Sequence, residues 1–186
     1  MSSVVRLSES QTSYSHDAVL VTSYKDDYIT RGNGFLFERN ISIANGATAL
    51  ILFDYRTYHP ALGQLGQIYI YPPFFQTTAG PVTVNLYRDT NYSGGTPYAI
   101  VNPNTLAKKK VSGTTISLAP TGTVKGDLAM VYLVGGGTGG VGNASPGATE
   151  GISYFIRDNS KVSLVEIVNG AGADITFHYG QMIFEI

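Results

Sequence analysis

Turn signals decide what this chain can become. Short apolar-patterned runs alternate with clusters of Gly, Pro, Asn and Ser. Roughly ten to twelve such runs follow one another at the ~8–12-residue spacing of all-β sandwiches. No segment carries the i, i+3, i+4 apolar period of an amphipathic helix. The cleanest run alternates Val82, Val84 and Leu86 with Thr83, Asn85 and Tyr87. Asn45-Gly46 separates Phe35–Ala44 from Ala47–Arg56, and because both turn residues accept φ > 0 it predicts a hairpin. In the second of these runs Ala49, Ile51, Phe53 and Tyr55 face one way and Leu50 and Leu52 the other, so the strand is apolar on both faces. Asp158-Asn159-Ser160 predicts another hairpin, between Ile152–Arg157 and Lys161–Val168. Ala173–Tyr179 reads as a strand that Gly180 breaks, with Met182–Ile186 paired in a sheet beyond it. The expected fold is all-β: a single antiparallel β-sandwich over residues 18–186, with the jelly roll as a candidate topology. Residues 1–17 form an extended N-terminal arm, too polar for a core of its own.

The stretch Leu128–Arg157 is the most unusual. Its apolar ends, Leu128–Val134 and Gly151–Ile156, read as paired strands joined by a long Gly-rich loop over 135–151. Gly137, Gly139 and Gly142 spell GxGxxG there. That fingerprint holds a pyrophosphate only when a helix starts at the third glycine. Here Asn143, Ala144, Ser145, Pro146 and Gly147 follow, which cannot carry one. No dinucleotide or other cofactor is therefore expected.

Composition narrows the function classes. Only 13% of the 186 residues are charged and the net charge is -1, against a usual charged share of ~25%. Nothing marks a nucleic-acid or membrane-surface binder. Low charge, 43% hydrophobic residues and 13 tyrosines fit a component of an assembly. Without cysteine there are no disulfides and no thiolate metal sites. No apolar segment follows Met1, so no signal peptide is expected.

Candidates for chemistry are sparse. His16, His59 and His178 lie far apart, none with a second ligand at metal-binding spacing, so no metal site is expected. His178 reads as the outward residue of an alternating strand. No GxSxG elbow occurs, and no carboxylates pair at a readable geometry, so no catalytic residue is assigned. Lys108, Lys109 and Lys110 read as edge-strand protection, or else as a contact with an acidic partner. Tyr87-Arg-Asp-Thr-Asn-Tyr92-Ser-Gly94 matches one βγ-crystallin-type motif and predicts a local folded hairpin with Gly94 at φ > 0. Phe74 and Phe75, bounded by prolines, read as loop aromatics: a contact surface or a plug over the core.

Taken whole, the serine-rich arm, the ERNISIANGATALILFDYRTY segment and the closing GADITFHYGQMIFEI resemble a tailed-bacteriophage capsid decoration (cement) protein. The resemblance implies a non-enzymatic virion structural protein on the outer capsid surface, made in the host cytoplasm. Its implied partners are the major capsid protein and further copies of itself, as a homo-oligomer (trimer or dimer). It implies no binding residues. The arm residues Val4, Val5, Arg6 and Leu7 and the aromatics Tyr71, Phe74 and Phe75 are the candidate partner contacts. The alternative is a carbohydrate- or host-surface-binding module of a phage tail fibre or spike. The absence of tryptophan, the best stacking residue, counts against it.

Overall fold

A computed structural model describes residues 3–6, 19–22, 34–55, 68–70, 73–98, 100, 102–103, 112–135, 142–144, 154–156 and 162–185. Among them there is no helix. The strands are β1 (Ser3–Arg6), β2 (Val19–Thr22), β3 (Gly34–Ile43), β4 (Thr48–Asp54), β5 (Ile68–Ile70), β6 (Phe74–Thr77) and β7 (Val82–Arg88), followed by β8 (Thr96–Tyr98), β9 (Thr115–Leu118), β10 (Asp127–Val134), β11 (Gly142–Ala144), β12 (Tyr154–Ile156), β13 (Val162–Asn169) and β14 (Ile175–Glu185). Two antiparallel sheets pack as a sandwich, as the turn spacing predicts. The first has the order β10-β7-β13-β4-β9-β8. The second is built on β14. One side of β14 pairs with β3 along Ile175–Phe184. On its other side β6 pairs with Phe177–Gly180 and β5 with Ile183–Glu185. Outside these, β11 pairs with β6 and β12 with β5. β1 and β2 form a separate two-stranded ladder, so part of the expected arm is a strand.

Alternation builds the core. Ile51 and Phe53 of β4, Val82 and Val84 of β7, and Val165 and Ile167 of β13 point inward from the first sheet. They meet Phe35, Phe37, Phe75, Phe177, Tyr179 and Ile183 of the second. Each such side chain contributes about 1.5–3 kcal/mol relative to exposure. Aromatic rings fill the centre in edge-to-face pairs: Phe37 with Phe53 at 5.8 Å, and Phe75 with Tyr132 at 5.2 Å. The doubly apolar reading of β4 holds. Leu52 faces away from this core and is buried with Val162 and Leu164 in a second cluster, under Tyr87 and Tyr92.

The connections differ from the sequence reading in one consistent way. Asn45-Gly46 turns the chain, with Gly46 at φ 71°, but β3 and β4 belong to different sheets, so the turn is an arch and not a hairpin. A residue pair that accepts φ > 0 serves either geometry. β12 and β13 are likewise in different sheets and form no hairpin. β10 and β12 do not pair, and a strand that was not expected, β11, lies between them. It starts at Gly142, the third glycine of the GxGxxG match, where a nucleotide site would need a helix. Gly94 has φ 137° as expected, yet residues 89–95 make no local hairpin: they carry the chain from β7 to β8, at the far end of the first sheet. Gly180 does not break β14. Phe74 sits directly opposite it in the register, and its ring occupies the space a side chain would take.

The arches meet at one end of the sandwich, and Asn169 holds them together. Its Nδ2 donates to the carbonyls of Ile43 (3.1 Å), Ala44 (3.0 Å) and Ala173 (2.8 Å). Its Oδ1 accepts from the Ala171 N–H, and its own N–H donates to Ala47 O. Next to it, Gly170 N–H donates to Pro81 O in the arch between β6 and β7. At the other end of β14 the buried Glu185 carboxylate accepts from Gly113 N–H, Thr114 N–H, Thr114 Oγ1 and Ser112 Oγ, which tethers the approach to β9.

Replacing Asn169 by Ala leaves buried carbonyls without donors, and we expect a loss of about 2–4 kcal/mol in urea unfolding with an unchanged m-value. Asn169→Asp, which sets a carboxylate against three carbonyls, should cost at least as much. A loss below about 1 kcal/mol for both variants would contradict the role given to this side chain.

Candidate interaction surfaces

The sequence candidates separate in the structure. Val4, Val5 and Arg6 lie on β1. Leu7, Tyr71, His16, His59, Lys108–Lys110 and the loop residues 136–141 and 145–151 lie outside the described residues. Phe74 and Phe75 are strand residues of β6 and not loop aromatics, so they face opposite ways. Phe75 is 3% exposed and packs against Phe177, Tyr179 and Tyr132, which removes it from the contact set. Phe74 is 40% exposed and stays in it. No group of three or more metal-ligating side chains occurs among the described residues.

One apolar strip stands out. On β10, Leu128, Val131 and Leu133 are 55%, 49% and 75% exposed, and Val124 just before the strand is 64% exposed. Leu128, Val131 and Leu133 share the outer face because a bulge between Leu128 and Met130 restores the alternation that one extra residue would invert. Met130, Tyr132 and Val134 face the other sheet; Tyr132 meets Phe75. Among the described residues β10 is the last strand of its sheet, and Leu128–Val134 carries no charge and no proline, the usual devices that keep terminal strands from associating. The sequence marks this run as an apolar strand. It cannot mark the run as terminal, because its place depends on pairing with a strand 39 to 52 residues earlier.

A polar cluster fixes the ground beside the strip. Val131, Asn85, Glu166 and Leu50 are in register across β10, β7, β13 and β4. The Glu166 carboxylate accepts hydrogen bonds from Asn85 Nδ2 and Tyr87 OH, both at 3.0 Å, and pairs with Lys125. Lys125 also lies over the Tyr87 ring, 5.3 Å from its centroid. Burial alone would push the Glu166 carboxyl up. The bonds from Lys125, Asn85 and Tyr87, with the Lys125 charge, outweigh it and hold the group below its ordinary 4.5. The bond to Glu166 raises Lys125 in turn. Further along, Tyr92 OH donates to the buried Asp54 at 2.6 Å, pinning the β7-to-β8 crossover onto the sheet. The partners of Glu166 come from positions 41, 79 and 81 residues away, so no local pattern in the sequence marks the cluster.

The outer face of the second sheet is different in kind. His178 points outward, as its alternation predicts. Its Nδ1 lies 2.7 Å from Asn40 Oδ1 and its Nε2 3.3 Å from Glu38 Oε1. The Phe74 ring is 5.5 Å from the imidazole at an angle of 37°.

No family model, no curated protein and no solved structure matches the chain.

Because the Glu166 carboxyl is held below its ordinary value, its contribution to stability is present above about pH 4.5 and is lost as pH falls through the lower folded value. Thermal melts from neutral pH to about pH 3 should therefore show a steeper acid loss for the natural chain than for Glu166→Gln. Parallel curves would mean that the cluster is not coupled to folding.

Proposed function

We propose that this chain is a non-enzymatic virion structural protein that binds the outside of a phage capsid and stabilises contacts between coat subunits. Its partners are then the major capsid protein and further copies of itself, and it resides on the outer capsid surface. The observation that carries the reading is the exposed apolar strip of Leu128, Val131 and Leu133 on a terminal strand. Contiguous exposed apolar patches on β proteins mark association surfaces. A chain with so few charges has little else to keep such a strip apart from its neighbours.

Strand order lends support. Counting β5 with β6 and β12 with β11 as broken single strands, the second sheet reads β3, β14, β5/β6, β12/β11 and the first contains β4, β13, β7, β10. Successive members of this set change sheet except β7 and β10, which pair with each other, and this order supports the jelly-roll reading, with β8 and β9 inserted. Jelly rolls recur in capsid and lectin domains. That is an association of fold with role, so the weight stays on the surface. The short β1–β2 ladder, carrying Val4, Val5 and Arg6, fits a segment that gains its stability on a partner, since two strands alone are marginal in water.

The test is light scattering of the purified chain followed by co-sedimentation with coat-protein shells from its own source. We expect a discrete oligomer that pellets with shells at saturable stoichiometry. Val131→Lys with Leu133→Lys should lower binding at least tenfold at unchanged melting temperature, since both side chains already face solvent. Full binding by that double variant would remove the strip from the account, and an oligomer that ignores shells would remove the capsid.

A further inference from the structure

A second surface carries an inference independent of the capsid reading. Six outward positions on β3, β14 and β6 form a grid of two rows. One row is Asn40, His178 and Gln76; the other is Glu38, Gly180 and Phe74. At the centre of the second row there is no side chain. A Cβ at Gly180 would lie 1.8 Å from Phe74 Cζ, so the phenyl ring is laid over the backbone at that point. Yet the residue remains 40% exposed, which leaves the remaining part of an aromatic ring open to solvent. Around it stand two planar amides, an imidazole and a carboxylate. Asn40 and Glu38 hold the imidazole through its two nitrogens. Gln76 is exposed beside them.

From this grid we infer a binding platform for a neutral pyranose glycan, with Phe74 as the stacking surface and Gln76, Asn40 and Glu38 as the hydroxyl-binding rim. A pyranose has the two features the grid offers to meet. Its C–H face is apolar and flat enough to lie on an aromatic ring. Its neighbouring hydroxyls are donors and acceptors together, matching an amide, which offers both, and a carboxylate, which accepts. The surroundings disfavour other ligands. A phosphate-bearing ligand would meet Glu38 with no Lys or Arg among the six positions. Among the six positions a protein partner would find one exposed aromatic and no other apolar side chain. A single phenyl stack is weak, so working affinity comes from repetition of the site over many copies.

Aromatic cover of a strand glycine is also a purely structural device, and the experiment separates the two roles. The full-length protein is run through native gels containing soluble starch, laminarin, galactomannan or dextran, with heparin as the charged control. We expect retardation by at least one neutral polysaccharide. Phe74→Ala and Gln76→Ala should each reduce it at least tenfold in apparent affinity, while Phe74→Trp retains or strengthens it. Gln76→Ala leaves the Phe74–Gly180 pair intact, so its effect cannot come from misfolding of that pair. No retardation by any of the four, retardation by heparin alone, or retardation that survives either Ala substitution would overturn the platform.

Discussion

One buried amide determines how the two sheets stay registered. Asn169 is 2% exposed, and it ends a strand of one sheet while bonding to the arches that lead into and out of the other. Arches are weak points of a sandwich, because each leaves backbone carbonyls at the rim with no ladder partner. A side-chain amide is the one uncharged group that supplies two donors and an acceptor from a single position. A charged group there would need a counter-charge to offset its burial. Glu185 does the corresponding work at the other end of β14, where N–H and O–H donors surround it. The longest strand of the sheet is therefore anchored at both ends, and its middle is free to carry the largest core rings.

With both rims tied, the lateral strands are where the structure faces outward. The first sheet ends in β10, whose outer face is apolar; the second presents Phe74, His178 and their polar neighbours. The two surfaces lie on opposite sides of the sandwich and have opposite chemistry. The Glu166 cluster stands in register with Val131 and fixes Lys125 two residues ahead of β10, so the approach to the strip is held rigid by charge-assisted bonds. A rigid apolar strip loses little conformational entropy on association.

Much of this was legible in the residues, and what was not has a common cause. Alternation at Val82, Val84 and Leu86 gave the inner face of β7, and Leu50 with Leu52 marked β4 as apolar on both faces, because period 2 is a local property. Positive φ at Gly46 and Gly94 was likewise readable. Sheet membership was not. Asn45-Gly46 looks the same in a hairpin and in an arch, and only the partner of each strand tells them apart. The same holds for Phe74 and Phe75: flanking prolines suggested a loop, whereas pairing with β14 made a strand and sent the two rings to opposite faces. The β10 strip was visible as apolar residues but not as surface, since its exposure follows from being last in the sheet.

The claim that assembly covers the β10 strip is open to direct measurement, because the chain has no cysteine of its own. Single cysteines placed at Leu133 and, as the opposite-face control, at Thr176 can be alkylated in the free protein and in the shell-bound protein. The account predicts that both react freely in solution and that only Leu133→Cys becomes protected on shells. Continued reactivity of Leu133→Cys in the bound state, with protection at Thr176→Cys instead, would contradict it and turn the assembly face to the other sheet.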